Sequence, residues 1–476
     1  MKRSIKIILI IIAVLATVAV LAAGWLFSKA APIASGFVAK YLCSSTFISD
    51  RDPAIVFEED VKPVNPLASI VSYSIDRRRQ TVTASSLGLF TMTALYRDGC
   101  GCSLVIDTTT DEMTRQKLVP PDFADKRPRQ RADLPWPDGS RGPVDPAGLG
   151  VDRQKLATAL DAAFAEPGPE KPRKTRAVVV VYDGQLIAER YAPGFRPDMP
   201  LLAWSMSKTV TNALVGILVK QKRLDIMQPA PVPAWQTAGD ERSGIILDQL
   251  LRMSSGLKFE EVYAPFYDAT YMLYGSYDFG AYAAAKQLET APGAKWYYSS
   301  GTTNIVAGIV RRAIEKDHEY YYRFIHEELF DRIGMYSAVM EPDSSGTFVG
   351  SSYTFATPRD WARFGLLYLQ DGIWQGRRIL PAGWVAYTTT PTPAAPRGEY
   401  GAHAWLNAGS AANPRDRRWP AAPRDAFAAL GFQEQKVIVI PSRKLVLVRF
   451  GATSERQAWN TNEFIQNVLA SLPGSS

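Results

Sequence analysis

The sequence predicts an α+β fold: an antiparallel sheet flanked by terminal helices, with a helical domain inserted into it. A small β-rich domain and a membrane-crossing helix precede it. Three observations carry this expectation. Within residues 150–473 a strand hairpin stands near each end, next to a helix. The stretch between the hairpins is mostly helical, with long irregular loops. Ahead of everything runs an uninterrupted apolar segment, Ile5–Phe27, long enough to cross a bilayer.

Lys2, Arg3 and Lys6 flank the N-terminal side of that segment, so the positive-inside rule leaves the rest of the chain outside the cytoplasm. Ala30, Ala31 and Ala34 can mimic a signal cleavage site, but secretory apolar regions are much shorter than this one. The sequence therefore favours an uncleaved signal anchor over residues 1–28, on the periplasmic face of a bacterial inner membrane, over a cleaved signal peptide. The lipid bilayer is then one partner of the chain.

Residues 29–118 read as β-rich. Ser69–Ile75, Thr81–Leu87 and Phe90–Tyr96 alternate or carry β-branched residues, with turn signals between them. Cys43, Cys100 and Cys102 are the only cysteines, which fits an oxidising compartment, one disulfide and a spare thiol. Cys100 and Cys102 are two apart and on a strand would face one side, so either can pair with Cys43. Three thiols with no histidine nearby make a poor zinc set; neither metal nor cofactor is expected. Residues 119–149 turn to Pro, Gly, Asp and Arg, as in a linker or a surface strap.

The domain over 150–473 opens with a helix at Asp152–Ala165, for which Asp152 is a natural N-cap. Next comes a hairpin, Ala177–Tyr182 and Gln185–Tyr191, about the turn Asp183-Gly184. A second hairpin, Lys436–Ile440 and Leu445–Phe450, and a helix near Trp459–Leu472 close the chain. With 476 residues, 46% of them hydrophobic, there is ample material for a large core. The net charge is +7, but the basic residues are scattered in short clusters such as Arg77-Arg78-Arg79, which argues against nucleic-acid binding.

Chemistry enters at Ser205-Met206-Ser207-Lys208, at the start of the apolar run Trp204–Val219. The run is apolar almost all round, as in a helix buried on every side. A serine and a lysine three apart share a helix face, and at the first turn that face meets the positive end of the helix dipole. A lysine so placed can deprotonate its serine, which makes an acyl-transfer nucleophile without histidine. Ser442 does not match, because Lys444 follows it by two. The second feature is Trp296-Tyr297-Tyr298-Ser299-Ser300-Gly301, ahead of the apolar helix Ile305–Ile314. By itself it reads as a capping turn, with Ser299 and Ser300 both good caps.

Together, Ser-x-x-Lys followed at this distance by Tyr-Ser-Ser resembles the serine β-lactamase and penicillin-binding superfamily, in its class C-like branch. Leu247–Leu257, ending Met253-Ser254-Ser255-Gly256-Leu257, is similar to the helix-to-loop passage of that branch. Ser351-Ser352, Thr357–Asp360 and Ala362–Gly365 are similar to its late helix. The resemblance spans about 150–472 and looks closest to the aminohexanoate-dimer hydrolase type, alongside esterases of similar fold. It implies a β-lactamase-like fold and a serine hydrolase acting on a small ester or amide. Ser205 would be the nucleophile and Lys208 its base; Tyr298 would pass a proton to the leaving group, and Ser300 would hydrogen-bond Lys208 or substrate. The Ser205 N–H would supply half of an oxyanion hole. Gly101-Cys102 resembles the extension of membrane-anchored members, which implies a Cys43–Cys102 bridge.

The third box of the superfamily, Lys-Thr-Gly or His-x-Gly before the penultimate strand, is where the chain departs. The matching stretch is Gly431-Phe432-Gln433-Glu434-Gln435, with Phe432 in the cationic position and Glu434 in that of the glycine. In this register the Gln435 N–H completes the oxyanion hole, while Glu434 repels a substrate carboxylate. A register two residues earlier places Ala429-Leu430-Gly431 in the slot. The departure disfavours β-lactams and peptides with a free C-terminus. It leaves neutral or cationic esters and amides ahead of a D-alanyl peptidase, and ahead of a non-catalytic scaffold of the same fold. Of the histidines, His318 and His326 lie among charges, and His403 reads as a packed strand residue rather than a triad member. Tyr263, Tyr267, Tyr271 and Tyr274 form either a core stripe or a lid.

Overall fold

A computed structural model describes residues 2–317, 320–410 and 412–474. His318 lies outside the described residues. The first helix, α1, runs without a break over Lys2–Phe47, with Pro32 inside it. Ile5–Leu26 are exposed throughout, whereas Ala31, Ala34, Val38, Leu42 and Cys43 are buried. The β-rich reading of residues 29–118 therefore fails over 29–47. Ala30, Ala34, Phe37, Val38, Tyr41 and Leu42 repeat at three and four, a helical period, and that face has a sheet to cover it. The sheet is a four-stranded antiparallel meander of β1 (Val71–Asp76), β2 (Thr81–Ser86), β3 (Phe90–Arg97) and β4 (Gly101–Leu104), against which α1 packs.

Cys43 of α1 and Cys102 of β4 form the disulfide, with Cα atoms 6.1 Å apart, and Cys100 is the buried free thiol. Beside the bridge, Lys40 is paired with buried Glu341, which also accepts from the Cys102 N–H at 2.7 Å and the Ser44 hydroxyl at 2.8 Å. Asp60 is likewise paired with Arg51 and with Arg176 of the main sheet. Both carboxylates are inaccessible, so removing one partner would strand a buried charge. The N-terminal unit is thus packed into the rest of the molecule rather than tethered to it, and one hydrophobic core runs through both. Over 119–149 the chain crosses the surface with short helical turns only. Arg363 holds it there by donating to the Pro137 and Gly139 carbonyls at 2.9 and 2.6 Å.

Beyond this strap, α2 (Arg153–Phe164) is capped by Asp152, whose side chain accepts from the Lys155 N–H. The first hairpin follows as β5 (Thr175–Tyr182) and β6 (Gln185–Tyr191). The inserted region carries α3 (Ser207–Lys220), α4 (Ser300–Glu315) and α5 (Pro358–Leu369). The chain then returns as β7 (Trp405–Leu406), β8 (Phe427–Gly431), β9 (Gln435–Ile440) and β10 (Leu445–Gly451), and ends in α6 (Thr461–Leu469).

The sheet is antiparallel in the order β7-β8-β9-β10-β5-β6. The last strand therefore pairs with the first, Val446 opposite Val181 and Val448 opposite Val179. Because strand side chains alternate, Val178 and Val180 meet α2 and α6, while Val179 and Val181 belong to the core that holds α5. Burial on both faces explains the unbroken apolar run Ala177–Val181. Gly365 lets α5 lie close to the sheet, since a Cβ there would be 2.5 Å from the Val446 side chain. This is the β-lactamase-like architecture that the sequence resemblance implies.

Candidate active site

Ser205 stands in a single 3-10 turn, Trp204–Met206, that leads into α3. Trp204 has φ +50°, a left-handed conformation that non-glycine residues rarely adopt and that commonly marks functional turns. Helix α3 is buried around nearly its whole girth, and Gly216 lets the Trp384 ring approach closely. Lys208, one turn after Ser205, is 1% exposed. Its Nζ donates at 3.0 Å to each of the Ser205 Oγ, the Ser300 Oγ and the Ser351 carbonyl. Burial pushes the lysine down to about 8, against the opposing pull of Glu261. An ammonium this poorly solvated gives up its proton at mildly alkaline pH, which leaves a lone pair within reach of the serine hydroxyl.

Of the two adjacent serines, Ser299 is the cap of α4, accepting from the Thr302 N–H at 3.1 Å. Ser300 is thereby left to face Lys208. The Tyr298 ring lies beneath the lysine, with Nζ 4.7 Å from its centroid, and is braced by Tyr400 and Trp405. Burial first, and then the charge of Glu261, raise the Tyr298 phenol above its usual range, while a hydrogen bond with Ser205 opposes them. Tyr298 is therefore a protonated donor at neutral pH.

Glu261 was not among the residues expected here. It accepts from the Ser300 N–H at 2.7 Å and the Ser300 hydroxyl at 2.5 Å, and also from the Tyr263 hydroxyl at 2.8 Å. It belongs to the loop after Leu257, and the only local signal for it is the acidic pair Glu260-Glu261 ahead of the tyrosines.

Of the two third-box registers, the earlier one places its glycine, Gly431, against the chain just before Ser205. Strand β8 packs against the Ser205 turn, as does β9, and a Cβ on Gly431 would lie 2.1 Å from the Ala203 carbonyl, so only glycine permits the approach of β8. Phe432 follows it, ring edge to face with Trp204 at 5.6 Å. Glu434 and Gln435, expected on the substrate side, follow at the turn into β9. The chain reverses through Gln433 and Glu434, at φ +58° and +67°, and carries both residues toward β9, one strand farther away. There Glu434 pairs with Lys436 at 2.5 Å. The Gln435 side chain donates to the Gly451 carbonyl at 2.6 Å and accepts from its N–H at 2.9 Å.

His403 is buried against Thr303 at 3.2 Å and pushed down to about 3 by burial, as befits a packed neutral residue. His326 is buried between Phe123 and Phe330, not among surface charges. The tyrosines divide: Tyr274 is buried, while Tyr263, Tyr267 and Tyr271 are exposed. Among the described residues no cluster of metal-ligating side chains is found. A cavity of about 380 Å³ opens beside Ser205, between Trp204, Tyr263, Phe432 and α1.

The β-lactamase family model matches residues 160–466, and the chain belongs to that family. It is 27% identical over 263 residues to the 6-aminohexanoate-dimer hydrolase of Paenarthrobacter ureafaciens, a match covering 52% of this chain and 64% of that protein. A Bacillus anthracis structure provisionally described as a 6-aminohexanoate-dimer hydrolase superposes with a TM-score of 0.53 at 23% identity, over 70% of this chain and 89% of its own. A penicillin-binding protein homologue from Caulobacter crescentus superposes with a TM-score of 0.51 at 14% identity, over 67% and 97%. At these identities the two structures bear on the fold alone.

Proposed function

We propose that the protein is a membrane-anchored serine hydrolase that cleaves an ester or amide through an acyl-enzyme on Ser205. The single observation that carries this reading is the buried Lys208 amine held 3.0 Å from both the Ser205 and Ser300 hydroxyls, with no carboxylate in contact. Neutral Lys208 takes the Ser205 proton as Oγ attacks the carbonyl carbon. The negative charge that develops on the carbonyl oxygen is met by the Ser205 N–H and, from the end of β8, the Phe432 N–H. Tyr298 donates to the departing alcohol or amine, and the same residues then direct water at the acyl-enzyme. Glu261 orients Ser300 and, through its charge, sets how readily Lys208 deprotonates.

The anchor reading is supported by the exposed apolar half of α1, and the non-cytoplasmic side by the disulfide and the basic N-terminus. One observation favours a second reading, a cell-wall peptidase. Arg418 lies over the Trp405 ring at 4.2 Å, and its charge acts on Tyr298, so a cation is present near the site. Intact-mass analysis after exposure to a p-nitrophenyl ester and, separately, a penicillin distinguishes the two. Ester turnover that vanishes in Ser205→Ala, without a lasting penicillin adduct, is expected. A stable penicillin adduct on Ser205 would move the assignment to the peptidase, and no acylation by either reagent would refute the hydrolase reading.

A further inference from the structure

We propose that the cavity beside Ser205 receives the acyl chain of a long-chain ester or amide delivered from the lipid bilayer. The inference rests on the hydrolase and anchor readings above and adds the class of substrate. Its first support is the cavity's far wall, which is α1 itself. Ala30, Ile33, Ala34 and Phe37 line it at helical spacing, facing Ser205 across the space. Those positions span about 10 Å of helix. The volume of about 380 Å³ falls within the range of small-molecule sites.

The second support is continuity. The helix that lines the cavity continues without interruption into the exposed run Ile5–Leu26, whose mean hydropathy reaches 3.0. From Leu26 to Ala30 is little more than one helical turn, about 6 Å. With Ile5–Leu26 in the bilayer, the end of the cavity therefore lies at the lipid surface.

The third support is what surrounds that end. Pro265 lines the cavity, and the next residue, Phe266, is exposed and stacked on Trp25 of the apolar run, with centroids 6.3 Å apart and planes 13° from parallel. Tyr267 and Tyr271 are exposed on the same loop and helix. On the other flank Phe27 meets Phe90, and the β2–β3 turn beside it carries exposed Leu87 and Leu89. Leu87 and Gly88 have φ +53° and +72°, a turn that ordinarily favours Asn and Gly, yet here it displays two leucines. Aromatic and apolar side chains gathered where a helix leaves the bilayer are the pattern of a membrane interface, and in water so large a patch would be a liability.

The chemistry balances with water as the only co-reactant. The Ser205 Oγ–acyl bond forms as the acyl–oxygen or acyl–nitrogen bond breaks, and the alcohol or amine leaves with the proton. Water then cleaves the acyl-enzyme to a carboxylic acid, restoring Ser205.

The test uses the full chain in phospholipid nanodiscs with p-nitrophenyl acetate, butyrate, octanoate and dodecanoate. Each fully buried methylene is worth roughly fourfold in binding, so kcat/KM should rise at least about tenfold from acetate to octanoate. Ile33→Trp should lower the octanoate-to-acetate ratio by a similar factor. The double variant Leu87→Ser/Leu89→Ser, at two exposed positions that do not line the cavity, should slow hydrolysis of the bilayer-held dodecanoate several-fold and leave acetate hydrolysis unchanged. Acetate turnover with a flat or falling chain-length profile would overturn the inference while leaving the hydrolase standing. If no ester is hydrolysed and a fluorophosphonate fails to label Ser205, the hydrolase reading falls and the inference with it.

Discussion

Lys208 and Lys436 make an instructive pair. Both are buried, and burial pushes both ammonium groups down to about 8. They differ in what surrounds them. Lys436 contacts Glu434 at 2.5 Å, and losing its proton would leave that carboxylate without its partner. Lys208 contacts two hydroxyls and a carbonyl, so losing its proton breaks no ion pair and frees a lone pair beside Ser205. A lowered lysine pKa is thus common to a structural ion pair and to the lysine proposed as the base. The neighbouring groups, not the shift, separate the two roles.

The largest contrast should come from removing each amine. Lys208→Met is expected to reduce ester kcat/KM by about 10³-fold or more, as should Ser205→Ala, with the melting temperature little changed for the serine variant. Lys436→Met should retain activity to within roughly tenfold. Equal losses in the two lysine variants, measured by steady-state kinetics, would erase the distinction. Tyr298→Phe comes next, with a loss of about 10²-fold in kcat if the phenol is the proton donor. A rise in KM with kcat unchanged would give the hydroxyl a binding role instead.

Glu434→Gln sharpens the structural side. It breaks a pair whose lysine is buried and whose carboxylate is a quarter exposed, so a cost of about 1–3 kcal/mol in stability is expected, read as a lower melting temperature with an unchanged pH–rate profile. The smallest effect is a displacement of that profile. Only neutral Lys208 accepts the serine proton, so kcat/KM for a neutral ester should rise with pH through about 8 and then level. Because Glu261 raises the Lys208 pKa, Glu261→Gln should move this acid limb to lower pH. A shift to higher pH, or none, would remove Glu261 from any influence on the base.

Much of the site was legible before the fold. The Ser205-to-Lys208 spacing, the all-round apolar helix behind it and the Tyr298–Ser300 stretch are local patterns, and local patterns survive translation into structure because helical period and capping act over one or two turns. Capping preference alone did not separate Ser299 from Ser300, since both are good caps; the family resemblance pointed to Ser300, and the approach of Lys208 and Glu261 gives the two serines different partners. The third-box register stayed open between two alignments for a related reason. Phe427–Gln435 is a strand end and a turn, and a shift of two residues preserves strand alternation, so only the approach of Gly431 to Ala203 decides it.

The first helix shows the same division. Hydropathy alone marks Ile5–Phe27 as apolar enough for a bilayer, and composition alone argues against nucleic acid. Neither shows that the helix continues to Phe47, since the small and apolar residues after Ser28 suit strand or helix until a sheet is present to cover one face. What the sequence by itself determined was the class of fold, and it named in short-range spacing the serine, lysine and tyrosine proposed as the catalytic set. What only the tertiary structure decided was Glu261, the strand that reaches Ser205 and the cavity against α1. These join segments distant in the chain, and contacts of that range follow from packing and burial rather than from any local period.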